Sequence, residues 1–116
     1  MALIYKIVSA GAWQDAVADG EFRGAAIDLQ DGFIHFSAAD QVQETAARHF
    51  SGARDLVLVA VDSGSLAGDL KWEPSRGGAL FPHLYGNLPI RTAVWVKPLP
   101  LGADGYHQFP DLGTAP

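Results

Sequence analysis

The chain of 116 residues contains no cysteine. That absence excludes disulfides, thiolate metal sites and a cysteine nucleophile. No apolar run approaches the roughly 20 residues that a membrane-spanning helix needs. The opening Met-Ala-Leu-Ile-Tyr-Lys-Ile-Val has no basic segment leading into a long apolar core, so no signal peptide is expected and the expected location is cytoplasmic. Basic residues are scarce, eight Lys and Arg against thirteen Asp and Glu, for a net charge of −5. That balance argues against general nucleic-acid binding through a basic face. Gly-x-Gly-x-x-Gly, the Walker A pattern and Gly-x-Ser-x-Gly are all missing, which removes the Rossmann, P-loop and nucleophile-elbow readings. His35, His49, His83 and His107 show no His-x-His, no His-Glu-x-x-His and no facial-triad spacing. No metal is expected.

What remains is ordinary globular composition, 48% hydrophobic and 18% charged. One domain is expected over residues 1–116, with a core spanning about 3–97 and a Pro/Gly-rich tail from 98 to 116. Leu3 to Val8 is β-branched and aromatic and predicts a first strand with Tyr5 and Ile7 on one face. Ser9 caps a helix ending near Asp19, closed by Gly20, with Trp13, Ala16 and Val17 as its apolar stripe. Glu21 to Asp31 reads as a mixed connection, and Asp31-Gly32 as a turn. Phe33 to Phe36 predicts a short strand, followed by a helix that Ser37 caps with Asp40 three residues on. Val42, Ala46 and Phe50 face the core there, and Glu44 and Arg48 pair on the solvent side.

Leu56 to Val61 is the most apolar run and predicts a central strand buried on both faces. Alternation in Leu70 to Glu73 puts Leu70 and Trp72 on one side, Lys71 and Glu73 on the other. Ala79 to Tyr85 is extended, with Pro82 keeping it from a central position. Arg91 to Val96 is the last strand, and the tail beyond it wraps the surface. The fold class is α+β, a mixed sheet with about two helices packed on it.

Chemistry concentrates between Leu70 and Gly86. Lys71, Trp72, Glu73, Ser75, Arg76, His83 and Tyr85 stand there among Pro74, Gly77, Gly78 and Pro82. Rigid punctuation, aromatic surface and convergent polar groups make a pocket wall. Glu73 is either a carboxylate that orients a sugar hydroxyl or acts as a base, or half of a surface ion pair with Arg76. Arg76 in the first reading grips a phosphate or carboxylate. His83 and Tyr85 alternate onto one face, as ligand contacts or as an aromatic rim. His35, between Phe33 and Phe36, is a pocket-facing donor or general base, or else a core histidine tied to a carbonyl. Ser37 touches a ligand or only caps its helix.

These segments carry a resemblance. Asp31-Gly32-Phe33-Ile34-His35-Phe36-Ser37, the Val42 to Phe50 helix, Leu56 to Asp62, Trp72-Glu73 and Phe81-Pro82-His83-Leu84-Tyr85-Gly86 together resemble domain-of-unknown-function family 952 over about residues 3 to 97. The resemblance implies a fold like that of the ADP-ribosyltransferases, whose NAD cleft lies in a split sheet and needs no Gly-rich fingerprint. A more distant similarity links His35-Phe36-Ser37 to the His-Leu-Ser element of the tRNA 2'-phosphotransferases. Those enzymes carry His-Gly-Thr on the first strand, where this chain has Lys6-Ile7-Val8 after Tyr5.

The resemblance implies a nucleotide or similar anionic small molecule, NAD among them, held between Tyr5 and Lys6 of the first strand and the Trp72–Tyr85 wall. Glu73, His35 and His83 are then the catalytic candidates for ADP-ribosyl or phosphoryl-ribose transfer. Arg76, Ser37 and Ser75 contact the ligand, and Trp72 and Tyr85 stack on a ring. The alternative is a non-catalytic module that uses the same cleft for a metabolite or peptide.

Overall fold

The computed structural model describes residues 2–66 and 68–112, and of Arg76 its backbone alone. The chain opens with strand β1 (Leu3–Ser9) and helix α1 (Ala10–Asp19). Ser9 Oγ accepts from the Ala12 N–H at 3.2 Å, and Gly20 ends the helix in the left-handed conformation at φ 93°. An L side chain disfavours that conformation, so glycine is the natural stop. Of the expected apolar stripe, Trp13 and Ala16 are buried but Val17 is 52% exposed. The helix meets the sheet on a narrower face than i, i+3, i+4 spacing suggests.

The stretch read as a mixed connection holds strand β2 (Glu21–Phe22) and a short third helix, α2 (Ala26–Asp31). Next come β3 (Ile34–His35) and α3 (Val42–His49). Ser37 does not cap α3; the chain turns once more, and the Gln41 side chain accepts from the Ala38 N–H at 2.9 Å instead. Strand β4 (Leu56–Asp62) is followed by β5 (Leu70–Pro74), β6 (Leu80–Leu84), β7 (Leu88–Pro89) and β8 (Ala93–Leu99). β8 starts at Ala93 and not at Arg91, because Ile90–Thr92 forms a 3-10 turn first.

The class is α+β and the sheet is split, as expected. One part runs β1-β4-β8, a second β3-β6-β5, and a two-stranded piece pairs β2 with β7, every pair antiparallel. β4 is central. Val59 and Val61 pack with Trp13 and Ala16 in one core, while Leu58 and Ala60 pack with Val42 and Ala46 in the other. A strand enclosed by helices on both faces shows continuous rather than alternating hydrophobicity, which is why this run was legible.

Pro82 is buried in the middle strand of β3-β6-β5, contrary to the edge position expected of it. Its carbonyl accepts from the Phe36 N–H at 3.0 Å. A strand residue's N and C=O point to the same neighbour. The donor that proline lacks therefore falls where β3 has already ended, and little is lost.

The tail folds back onto the second core. Leu99 is buried, Phe109 and Leu112 pack on that core, and His107 Nε2 bonds the Ala53 carbonyl at 2.8 Å. The Tyr5 hydroxyl donates to the Leu112 carbonyl at 2.9 Å, so the chain end described here ties to the first strand. Residues 113–116 lie outside the described residues. No helix among the described residues is long and apolar enough to cross a membrane.

Candidate functional site

The two three-stranded pieces touch through one antiparallel bridge, Tyr5 with Ser37, closed by backbone bonds of 2.8 and 2.9 Å. Around that bridge lies a cleft of about 540 Å³. A volume of this order suits a small ligand. Tyr5, Lys6 and Ile7 line it from β1, His35, Phe36 and Ser37 from β3 and its end, and Phe81 and His83 from β6. Thr45, His49 and Phe50 close it from α3 and its end, Ile27 and Asp31 from α2, and Ser75 stands near the tip of the β5–β6 hairpin.

Asp28 organises one wall. It sits at the third position of α2, where its Oδ2 accepts from the Ala25 N–H at 2.8 Å, half of a capping box. Its Oδ1 accepts from the His35 backbone N–H at 3.0 Å, meets His35 Nδ1 at 2.6 Å and takes a bond from Lys6 Nζ at 3.0 Å. Lys6 Nζ also lies 2.9 Å from Oδ2. The Asp28 side chain is 1% exposed and that of Lys6 6%. Burial alone would raise the Asp28 carboxyl. The hydrogen bond from His35, the Lys6 charge and the Ala25 N–H together outweigh it and hold the carboxyl at about 2. Burial lowers the Lys6 ammonium, and Asp28 offsets only part of that. His35 Nε2, on the far side of the ring, lies 3.0 Å from Asp31 Oδ2.

His83 stands directly across from His35 as its antiparallel partner, with ring centroids 5.5 Å apart. Its Nδ1 lies 2.8 Å from Glu73 Oε1, which also accepts from the Tyr85 hydroxyl at 2.7 Å. Those two bonds, from Tyr85 and then His83, lower the Glu73 carboxyl, and Glu73 in return raises the Tyr85 phenol. His83 is 4% exposed and lines the cleft. Phe33 stacks on His83 at 4.1 Å and 26°, with His35 and Tyr85 at 4.6 and 5.3 Å. Lys71 Nζ sits 5.1 Å over the Tyr85 ring.

Both histidines thus have a carboxylate at Nδ1. A carboxylate there makes Nδ1 the donor and leaves His83 Nε2 for acid–base work, whereas His35 Nε2 already meets Asp31. Six residues expected at a site line the cleft together: Tyr5, Lys6, His35, Ser37, Ser75 and His83. Glu73 and Tyr85 stand behind His83 rather than on the lining. The Tyr5 hydroxyl is taken by Leu112, and Ser37 Oγ shares a 2.9 Å bond with Thr45 Oγ1. Trp72 pairs with Pro82 on the opposite face of β5 from Glu73, 46% exposed and outside the cleft lining. The Arg76 side chain lies outside the described residues.

Sequence reasoning missed Asp28, Asp31, Phe33, Thr45 and His49 as site residues. Phe33 shares the strand face of His35 and could have been found by alternation. Asp28 lay in the stretch read as irregular, and no local signal pointed to its burial.

The family model described as protein of unknown function (DUF952) matches residues 7–96. The chain belongs to that family. No curated protein matches it. Among solved structures it is similar to the crystal structure of protein CC0527 from Caulobacter crescentus, at 55% identity and a TM-score of 0.88, covering 91% of this chain and 93% of that one. A crystal structure of a double mutant of the same protein gives 54% and 0.88. Its solution NMR structure gives 55% and 0.84, covering 93% of both chains.

Proposed function

We propose that the cleft binds a nucleotide or similar anionic small molecule, with NAD as the first candidate, and that His35 and His83 perform acid–base chemistry on it. One observation carries the reading: two cleft-lining histidines are cross-strand partners, each with a carboxylate at Nδ1. Paired imidazoles oriented by carboxylates are a means of taking a proton at one point of a ligand and giving one at another. His83 Nε2 accepts a proton from a ribose hydroxyl or an attacking group, and His35 bonds or protonates a neighbouring oxygen. Glu73 orients His83. Ser37, Ser75 and Arg76 contact the phosphate, and Tyr85 acts from behind His83 through its bond to Glu73. The split sheet and the resemblance to ADP-ribosyltransferases support transfer of an ADP-ribosyl or related group.

The test is an NMR titration of labelled protein with NAD, ADP-ribose and nicotinamide. Shifts gathered on His35, Ser37, His83 and Tyr85 are expected; shifts scattered elsewhere, or none from a folded protein, overturn the reading. Arg76→Ala is expected to weaken binding without unfolding the chain.

A second reading, a non-catalytic binding module, is favoured by Lys6. That residue stands on the first strand where the tRNA 2'-phosphotransferases, which the chain distantly resembles, place a histidine for the NAD ribose, and its ammonium is committed to Asp28. NAD turnover that disappears in His83→Ala excludes the module; binding without turnover selects it.

A further inference from the structure

The two carboxylates on the His35 ring are not equivalent. Asp28 is buried and holds Lys6, the Ala25 N–H and the His35 N–H besides the imidazole. The Asp31 side chain is 37% exposed, lines the cleft, and has no partner among the described residues other than His35 Nε2. It also ends α2, where the helix dipole disfavours negative charge. Nothing in the helix calls for an acid there. A ring carrying both N–H groups serves both carboxylates as donor, and with Asp28 fixed by four donors, only Asp31 can be exchanged for another acceptor.

We infer that Asp31 is an internal stand-in for the ligand's anion. Its Oδ2 stands on His35 Nε2 at the position that a phosphate oxygen takes when a nucleotide binds. This rests on the anionic-ligand reading and adds to it the atom that meets the phosphate and the residue that competes with it. A half-exposed ion pair contributes little, so its exchange is cheap, while phosphate offers more charge and more acceptor oxygens to the same N–H. Asp31 thereby sets the affinity for anions low and leaves neutral ligands unaffected. The contact with Asp28 cannot be exchanged in this way, because leaving it would strand a buried lysine.

The test compares wild type with Asp31→Asn, an exposed and nearly isosteric change, by calorimetric titration with ADP-ribose, inorganic phosphate and nicotinamide. Binding of ADP-ribose and phosphate is expected to tighten about threefold to fivefold, the size of one exposed pair. Nicotinamide, which is uncharged, is expected to bind equally to both. The His35 Nε2 resonance should shift on phosphate addition in both proteins and start from a different value in the variant. ADP-ribose that binds wild type but binds Asp31→Asn equally or more weakly overturns the inference and leaves the anionic-ligand reading standing. ADP-ribose that binds neither protein removes the nucleotide reading, and phosphate then decides alone. Tighter phosphate in the variant supports the stand-in role, and no gain overturns it.

Discussion

Lys6 and Asp28 form an ion pair of 2.9 Å inside the core, joining the first strand to the second helix across 22 residues of chain. Both side chains are nearly sealed from solvent. Such a pair is costly to create and more costly to break, since either partner alone is a buried, uncompensated charge.

Asp28→Ala is therefore expected to destabilise the fold by about 3–5 kcal/mol. It leaves Lys6 without a counter-charge and the Ala25 and His35 N–H groups without an acceptor. Urea unfolding of the variant measures it. A loss below about 1 kcal/mol, the range of exposed pairs, would mean that water reaches the pair.

The same carboxylate makes stability depend on acid. Its folded value of about 2 lies below the ordinary 3.8, so protons bind the unfolded chain more readily. The contribution, about 2 kcal/mol, is complete above pH ~4 and is lost as pH falls from about 4 towards 2. Denaturation midpoints measured across that window should drop in wild type and drop less in Asp28→Asn.

Glu73 and Tyr85 give a spectroscopic prediction. The carboxylate raises the Tyr85 phenol by accepting its hydrogen bond. In Glu73→Gln the charge is gone, so Tyr85 is expected to ionise at lower pH than in wild type, as followed by its ring resonances. The His83 ring should lose its fixed tautomer in the same variant, because a neutral amide holds Nδ1–H more weakly. A Tyr85 titration that does not move would place Glu73 elsewhere in solution.

Tyr5→Phe keeps the ring against Trp95 and removes only the bond to Leu112. The expected loss is about 0.5–1.5 kcal/mol. Faster amide exchange over residues 107–112, with β4 unchanged, would identify the hydroxyl as the anchor of the tail. Uniform exchange changes across the chain would deny it that role.

Local elements of this fold were legible because their signals span few residues. Ser9 and Gly20 bracket α1 by capping chemistry, and the valine-rich run of β4 declares its burial on both faces. His35 and His83 were legible as site candidates from their residue type and their place in short strands. Their apposition was not, since it depends on β3 pairing with β6 in one register. Trp72 lies on the face of β5 opposite Glu73, where alternation alone sets it, and outside the cleft lining. Ser37 looked like a helix cap because Asp40 follows at capping distance; the bridge to Tyr5 and the bond to Thr45 claimed it first.

The sequence by itself determined the α+β class, the buried central strand, the first helix and the residue types that could do chemistry. These follow from periodicity, capping and turn residues acting over a few positions. Tertiary structure alone decided that the sheet opens beside the Tyr5–Ser37 bridge, that Asp28 takes Lys6 and His35 together, and that Glu73 serves His83. Ionic and hydrogen-bond partners far apart in the chain are chosen by which surfaces pack and exclude water. No window of sequence contains that choice.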